Sequence, residues 1–137
     1  MNHATILIVE DNEMNQRLLV RQLARLGIAD VAVAANGIEA LDWLARHSCA
    51  LVLADCQMPG MDGYEMTRRV RAYERHGGPR LPIIALSAGV MQGDKAVCIE
   101  AGMDDHIAKP AQLEILRTTL TAWLVGTTLS LPKGSQL

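Results

Sequence analysis

Five short runs of apolar residues, each followed by a segment of helical period, constrain this chain more than any other feature. TILIV (5–9), VAVA (31–34), LVLA (51–54), PIIAL (82–86) and HIA (106–108) have the length of strands. They are apolar without alternation, the habit of strands buried on both faces by helices. Such an order predicts right-handed crossovers and an α/β fold with a mainly parallel five-stranded sheet.

The intervening helices follow from apolar spacing. Met14, Leu18, Leu19, Leu23 and Leu26 share a face of the first, which Gly27 ends. Asn36-Gly37 opens a second with Ile38, Leu41, Leu44 and Ala45 turned inward. The third runs from Tyr64 to about Tyr73 with Met66, Val70 and Tyr73 aligned, and Asp62 as its cap. The fourth, Gln92 to Ala101, is the least periodic, and the last carries Leu113, Leu116, Leu120, Trp123 and Leu124. Residues 1–126 form one domain in this reading, and TTLSLPKGSQL (127–137) has no period and reads as a flexible tail or linker. Trp43 projects away from Leu41 and Ala45, so partial burial or a partner contact is expected for it.

Composition excludes several function classes. A net charge of −2 gives no bulk electrostatic case for nucleic acid or an anionic membrane. Aromatics are 3% of the chain and Phe is absent, so platforms for bases or flat cofactors are scarce. No apolar run approaches the ~18 residues of a membrane span. The three cysteines (Cys49, Cys56, Cys98) show no metal-ligand spacing and read as buried free thiols in a reducing compartment, so a cytoplasmic domain is expected.

In open parallel sheets, sites form beyond the carboxyl ends of the strands. Glu10 and Asp11 follow the first strand, Asp55 the third, Ser87 the fourth and Lys109 the fifth. Singly each has a plain alternative: acids that open a helix, an Asx turn, a cap, a solvated lysine. Together they place three carboxylates, a hydroxyl and an ammonium in one crevice. Crowded acids need a cation, and oxygen donors without His or Cys favour a hard ion such as Mg²⁺. A metal, an ammonium and a hydroxyl around a carboxylate make a cradle for a phosphoryl group, with Asp55 the candidate nucleophile.

LIVEDNEMNQRL, LVLADCQMPGMDGYEMTRRVR, IIALSA and AGMDDHIAKP resemble the receiver domain of two-component response regulators, most of all those of hybrid sensor histidine kinases. The resemblance implies a flavodoxin-like three-layer sandwich with strand order 2-1-3-4-5. It implies that Asp55 accepts a phosphoryl group from the phosphohistidine of a histidine kinase or histidine phosphotransfer domain. Asp11, Asp55 and the backbone carbonyl of Gln57 would bind Mg²⁺ (or Mn²⁺), with Glu10 acting mainly through water. Ser87 and Lys109 would hold the phosphoryl oxygens. The face of the fourth helix, fifth strand and last helix would meet a downstream protein domain. His106 stands where the family usually has a Tyr or Phe switch, so a role with Ser87 in switching is implied, though an exposed edge histidine is the alternative. Ala88 is small and would leave the acceptor open, Gln57 and Gly89 match positions that tune dephosphorylation, though Gly89 offers no side chain to do so, and Lys109-Pro110 matches a bond typically cis. Asp104 and Asp105 read as turn residues rather than ligands.

Two other functions compete. One is a constitutive interaction module on the same fold, with the acidic site unused. The other is a Mg²⁺ phosphohydrolase, against which Gln57 replaces the second acid of an Asp-x-Asp pair. As a receiver the chain would be at most a slow autophosphatase, free-standing or the cytoplasmic part of a membrane-bound kinase, with no nucleic-acid or membrane contact of its own.

Overall fold

The computed structural model describes residues 5–87 and 92–124. The strands are β1 (Ile6–Val9), β2 (Val31–Ala34), β3 (Leu51–Asp55), β4 (Ile83–Ser87) and β5 (Asp105–Ala108). They alternate with α1 (Glu13–Arg25), α2 (Gly37–Arg46), α3 (Gly63–Glu74), α4 (Gln92–Ala101) and α5 (Leu113–Trp123). All four strand pairs are parallel, in the order β2-β1-β3-β4-β5. The expected fold is the one observed. The expected tail, and Ala88 and Gly89 with the readings attached to them, lie outside the described residues.

Alternation along each strand splits the core into two layers. Ile6 and Ile8, Leu51 and Leu53, Ile84 and Leu86 meet Leu19, Leu23, Leu116 and Leu120 from α1 and α5. Leu7 and Val9, Val52 and Ala54, Ile83 and Ala85 meet Ala40, Met66, Val70 and Cys98 from α2, α3 and α4. Covered on both sides, the central strands β1, β3 and β4 are buried at every position, which explains their unbroken apolar pattern, while the edge strands β2 and β5 are partly exposed.

Side-chain caps fix the starts of α1, α2 and α3. Asn12 accepts the Asn15 N–H at 3.0 Å, Asn36 the Glu39 N–H at 2.9 Å, and Asp62 the Glu65 N–H at 2.9 Å. Asp62 is thus the cap expected of it.

Several apolar residues face elsewhere than periodicity suggests. The inner face of α2 is Gly37, Ala40, Leu41 and Leu44, spaced as one helical stripe; Ile38 is 62% exposed and Ala45 is also exposed. Small residues set this phase: a Cβ on Gly37 would lie 2.7 Å from Met61 Cγ and 2.8 Å from its carbonyl oxygen. In α1, Leu19 and Leu23 are buried while Met14 and Leu18 are exposed; Leu18 lies ~100° around the helix from Leu19. In α3, Gly63, Met66, Thr67 and Val70 face inward, and Tyr73 is 78% exposed despite its spacing. Helices outreach strands: 13 residues of α1 span about 20 Å, four of β1 about 13 Å. The last turn of α3 therefore overhangs the sheet. Trp43 is half-buried, packs on the α2–α4 layer and stacks on His47 with ring centroids 4.8 Å apart.

At the end of the sheet where strands begin, Arg71 organises a network the sequence did not reveal. Its guanidinium donates to the carbonyls of Gly102 (2.9 Å) and Leu81 (2.8 Å), to Glu74 (2.9 Å) and to Asp104 (2.7 Å). Asp104 also pairs with Arg80 at 2.9 Å and accepts the Ile83 N–H at 2.8 Å, so it is a hub rather than a simple turn residue. Asp105 accepts the Trp123 indole N–H at 2.8 Å.

Candidate functional site

The opposite, carboxyl end of the sheet gathers the acids. Glu10 follows β1 and is 1% exposed; Asp55 ends β3 and Ser87 ends β4, both buried. One ligand oxygen each from Glu10, Asp11 and Asp55 can be chosen so that all lie within 4.8 Å of one another. Asp11 is the exposed member and opens the group to solvent.

Glu10 is locked by the start of α1. Its Oε2 accepts the Asn12 N–H at 3.0 Å, and its carbonyl accepts Gln16 Nε2 at 2.6 Å. Neither Asn12 nor Gln16 was foreseen as a site residue. An Asn two residues after an acid, set to cap the next helix, is the sequence signal that would have found the first.

Lys109 joins the group from the far strand. Its Nζ donates to Glu10 Oε1 at 2.8 Å and to Asp55 Oδ2 at 2.9 Å. Its backbone N–H donates to the Ser87 carbonyl at 2.8 Å, and the Lys109–Pro110 peptide bond is cis, as the resemblance implied. Burial would lower the ammonium's pKa, but the hydrogen bonds and charges of Glu10 and Asp55 outweigh it and leave it above the ordinary lysine value. Lys109 is therefore charged near neutrality.

The loop after β3 is built around Asp55. Asp55 Oδ1 accepts the Gln57 N–H at 3.2 Å, the bond of an Asx turn. Gly60, at φ +78°, supplies a turn that side chains resist. Gly63 lets α3 begin against the strand: a Cβ there would lie 2.3 Å from the Asp55 carbonyl oxygen. Its N–H donates to the Cys56 carbonyl at 3.3 Å, and its carbonyl accepts Thr67 Oγ1 at 2.7 Å.

His106 is half-buried on the edge strand β5, paired with Ala85. Its Nε2 is buried and meets no hydrogen-bond partner among the described residues. The ring is thus less exposed than a plain edge histidine would be.

Fold and site together define a doubly wound α/β domain that concentrates acids, a hydroxyl and a lysine at the carboxyl ends of its strands. Residues 6–121 match the response regulator receiver domain model, and the chain belongs to that family. Members of the family are the phosphoacceptor modules of two-component signalling. The hybrid signal transduction protein dokA of Dictyostelium discoideum is 41% identical over 119 residues, 87% of this chain and 7% of the relative. Sensor histidine kinase RcsC of Escherichia coli K12 is 39% identical over 118 residues, 86% of this chain and 12% of the relative. The chain thus spans a small fraction of these curated relatives.

Among solved structures, the receiver domain of sensor histidine kinase PA1611 from Pseudomonas aeruginosa PAO1, with a magnesium ion in its active-site cleft, superposes with a TM-score of 0.80. The two are 41% identical over 90% of this chain and 98% of that one. The Ssk1 receiver domain of Saccharomyces cerevisiae, crystallised with the phosphotransfer protein Ypd1, gives a TM-score of 0.83. There the identity is 30% over 89% of each chain. Among the described residues, no helix is long and apolar enough to cross a membrane.

Proposed function

We propose that Asp55 accepts a phosphoryl group from the phosphohistidine of a histidine kinase or histidine phosphotransfer domain. The observation that carries this is Asp55 itself: a buried carboxylate on a central strand, touching the Lys109 ammonium at 2.9 Å and grouped with two further acids. A carboxylate oxygen of Asp55 forms the new O–P bond as the P–N bond to the imidazole breaks, and the imidazole keeps the electron pair and takes up a proton. Lys109 exchanges a carboxylate for a phosphoryl oxygen, and the Ser87 hydroxyl donates to another.

The donor set fits a hard dication, being all oxygen, with no His or Cys in the cluster. Asp11, Asp55 and the Gln57 carbonyl would hold Mg²⁺ or Mn²⁺, with Glu10 acting through water. When bound, the ion neutralises charge that builds on the phosphoryl oxygens. A Mg²⁺-bound relative and a phosphotransfer-bound relative support this reading. The added charge pulls Ser87 toward the phosphoryl group, His106 follows inward, and the α4–β5–α5 face changes its affinity for a downstream domain.

Mass spectrometry after Mg²⁺ and a small phosphodonor tests the assignment. One phosphoryl group should add to the wild type and none to Asp55→Asn. An unlabelled wild type would favour the constitutive module, and equal labelling of both chains would move the acceptor elsewhere. Steady release of phosphate from a phosphoester would favour the hydrolase.

A further inference from the structure

Cys56 directly follows Asp55, and Cys98 lies two turns into α4. Their sulfurs are 3.8 Å apart, and each residue is 2% exposed. Both belong to the apolar layer under α2, α3 and α4, with Tyr64 packed against it. Cys49, the remaining thiol, lies outside this pair and precedes β3 at the other end of the sheet. All three thiols are free in this structure.

We propose that Cys56 and Cys98 form a reversible disulfide that pins α4 to the segment carrying Asp55, with a small hydroperoxide as the oxidant. The sulfurs must close from 3.8 Å to about 2.05 Å, a movement within reach of side-chain rotation and a slight shift of α4. Both S–H bonds break and one S–S bond forms. The two electrons cleave the peroxide O–O bond, and the two hydrogens leave on its oxygens as water and alcohol, or as two waters from hydrogen peroxide. Burial selects the oxidant class: a peroxide of a few atoms can reach the pair, whereas a peptide disulfide is too bulky to come within reach of thiols this enclosed. Transient disulfides of this kind in reducing compartments are sensors rather than staples.

The consequence for signalling rests on the proposed role of Asp55. Cys98 belongs to α4, the element expected to carry the response, and Cys56 is covalently next to the acceptor. Tying them together couples α4 to the acceptor loop whether or not a phosphoryl group is present.

The test treats the native chain with hydrogen peroxide and maps the thiols by peptide mass spectrometry. A single species that has lost two hydrogens, linked Cys56 to Cys98, and that dithiothreitol restores, is expected. The Cys49→Ala chain should behave the same, and Cys98→Ala should not form the link. Oxygen added to Cys49 alone, a link through Cys49, or equal oxidation by glutathione disulfide overturns the proposal. Phosphodonor labelling of Asp55 should slow severalfold in the oxidised wild type and stay unchanged in peroxide-treated Cys98→Ala. Equal rates for oxidised and reduced wild type overturn the pinning. A reduced wild type that never labels overturns the Asp55 assignment instead, while the linkage map still judges the disulfide.

Discussion

Replacing Gly63 with Ala should disturb the candidate site from behind. The new Cβ would lie 2.3 Å from the Asp55 carbonyl oxygen, 3.2 Å from its carbon and 3.3 Å from Cys56 Cα. Every atom it meets is backbone, so no rotamer relieves the overlap, and the start of α3 must retreat by about 1 Å to reach ordinary contact. The retreat strains the Gly63 N–H bond to Cys56 and loosens Met66, Thr67 and Val70 against the sheet. Overpacking costs about 1–3 kcal/mol and a lost hydrogen bond about 1, while Ala in a helix regains about 0.5–1. The net loss is about 2 kcal/mol, or roughly 8 °C in melting temperature for a domain of this size. Gly60→Ala is the matched control, because its φ of +78° strains the backbone but nothing lies within 4 Å. That variant should lose about 1 kcal/mol. Thermal unfolding by circular dichroism, with phosphodonor labelling of Asp55, reads both effects. A Gly63→Ala chain that melts with the wild type and labels at the same rate would falsify the argument that this glycine sets the acceptor loop.

Lys109→Met removes the cation from two buried carboxylates and should cost about 2–4 kcal/mol in urea unfolding. Added Mg²⁺ should restore more stability to that variant than to the wild type, and an equal Mg²⁺ effect would argue against a shared site. Arg71→Ala strips Glu74 and Asp104 of a common partner, with an expected loss of about 3–5 kcal/mol read as a lower urea midpoint. Arg71→Lys should recover only a minority of it, since an ammonium cannot replace the planar fork. Burial pushes the Cys49 thiol up to about 11 and the Cys56 thiol up to about 12. Both therefore favour the fold while protonated, so their contribution is complete below about pH 9, the unfolded thiol range, and fades toward pH 11 and 12. Melting temperature should fall across that window, and less steeply for Cys49→Ala.

The topology was legible because it depends on local signals: strands apolar at each position, and polar punctuation between them. The placement of Glu10, Asp11, Asp55, Ser87 and Lys109 was legible for the same reason, since strand ends fix it. What escaped the sequence depends on contacts between distant segments. The phase of α2 was misjudged because bulk drew attention to Ile38, whereas Gly37 packs tightly on Met61 and Ala40 joins the core layer. Tyr73 has the right period but extends past the strands. The Arg71–Asp104 pair spans 33 residues and the Cys56–Cys98 contact 42, and neither has a local signature.

The carboxylates of Glu74 and Asp104 accept the N–H groups of Leu81 and Ile83, and Asp104 N–H returns a bond to the Ile83 carbonyl. These bonds fasten β4 and β5 where they begin, while Ser87 and Lys109 stand where they finish. The finishing ends are tied as well, the Cys56 N–H to the Leu86 carbonyl at 3.2 Å and the Lys109 N–H to the Ser87 carbonyl at 2.8 Å. Strands clamped at both ends leave the register no freedom to answer a change of charge beside Asp55, so the response falls on side chains at the rim.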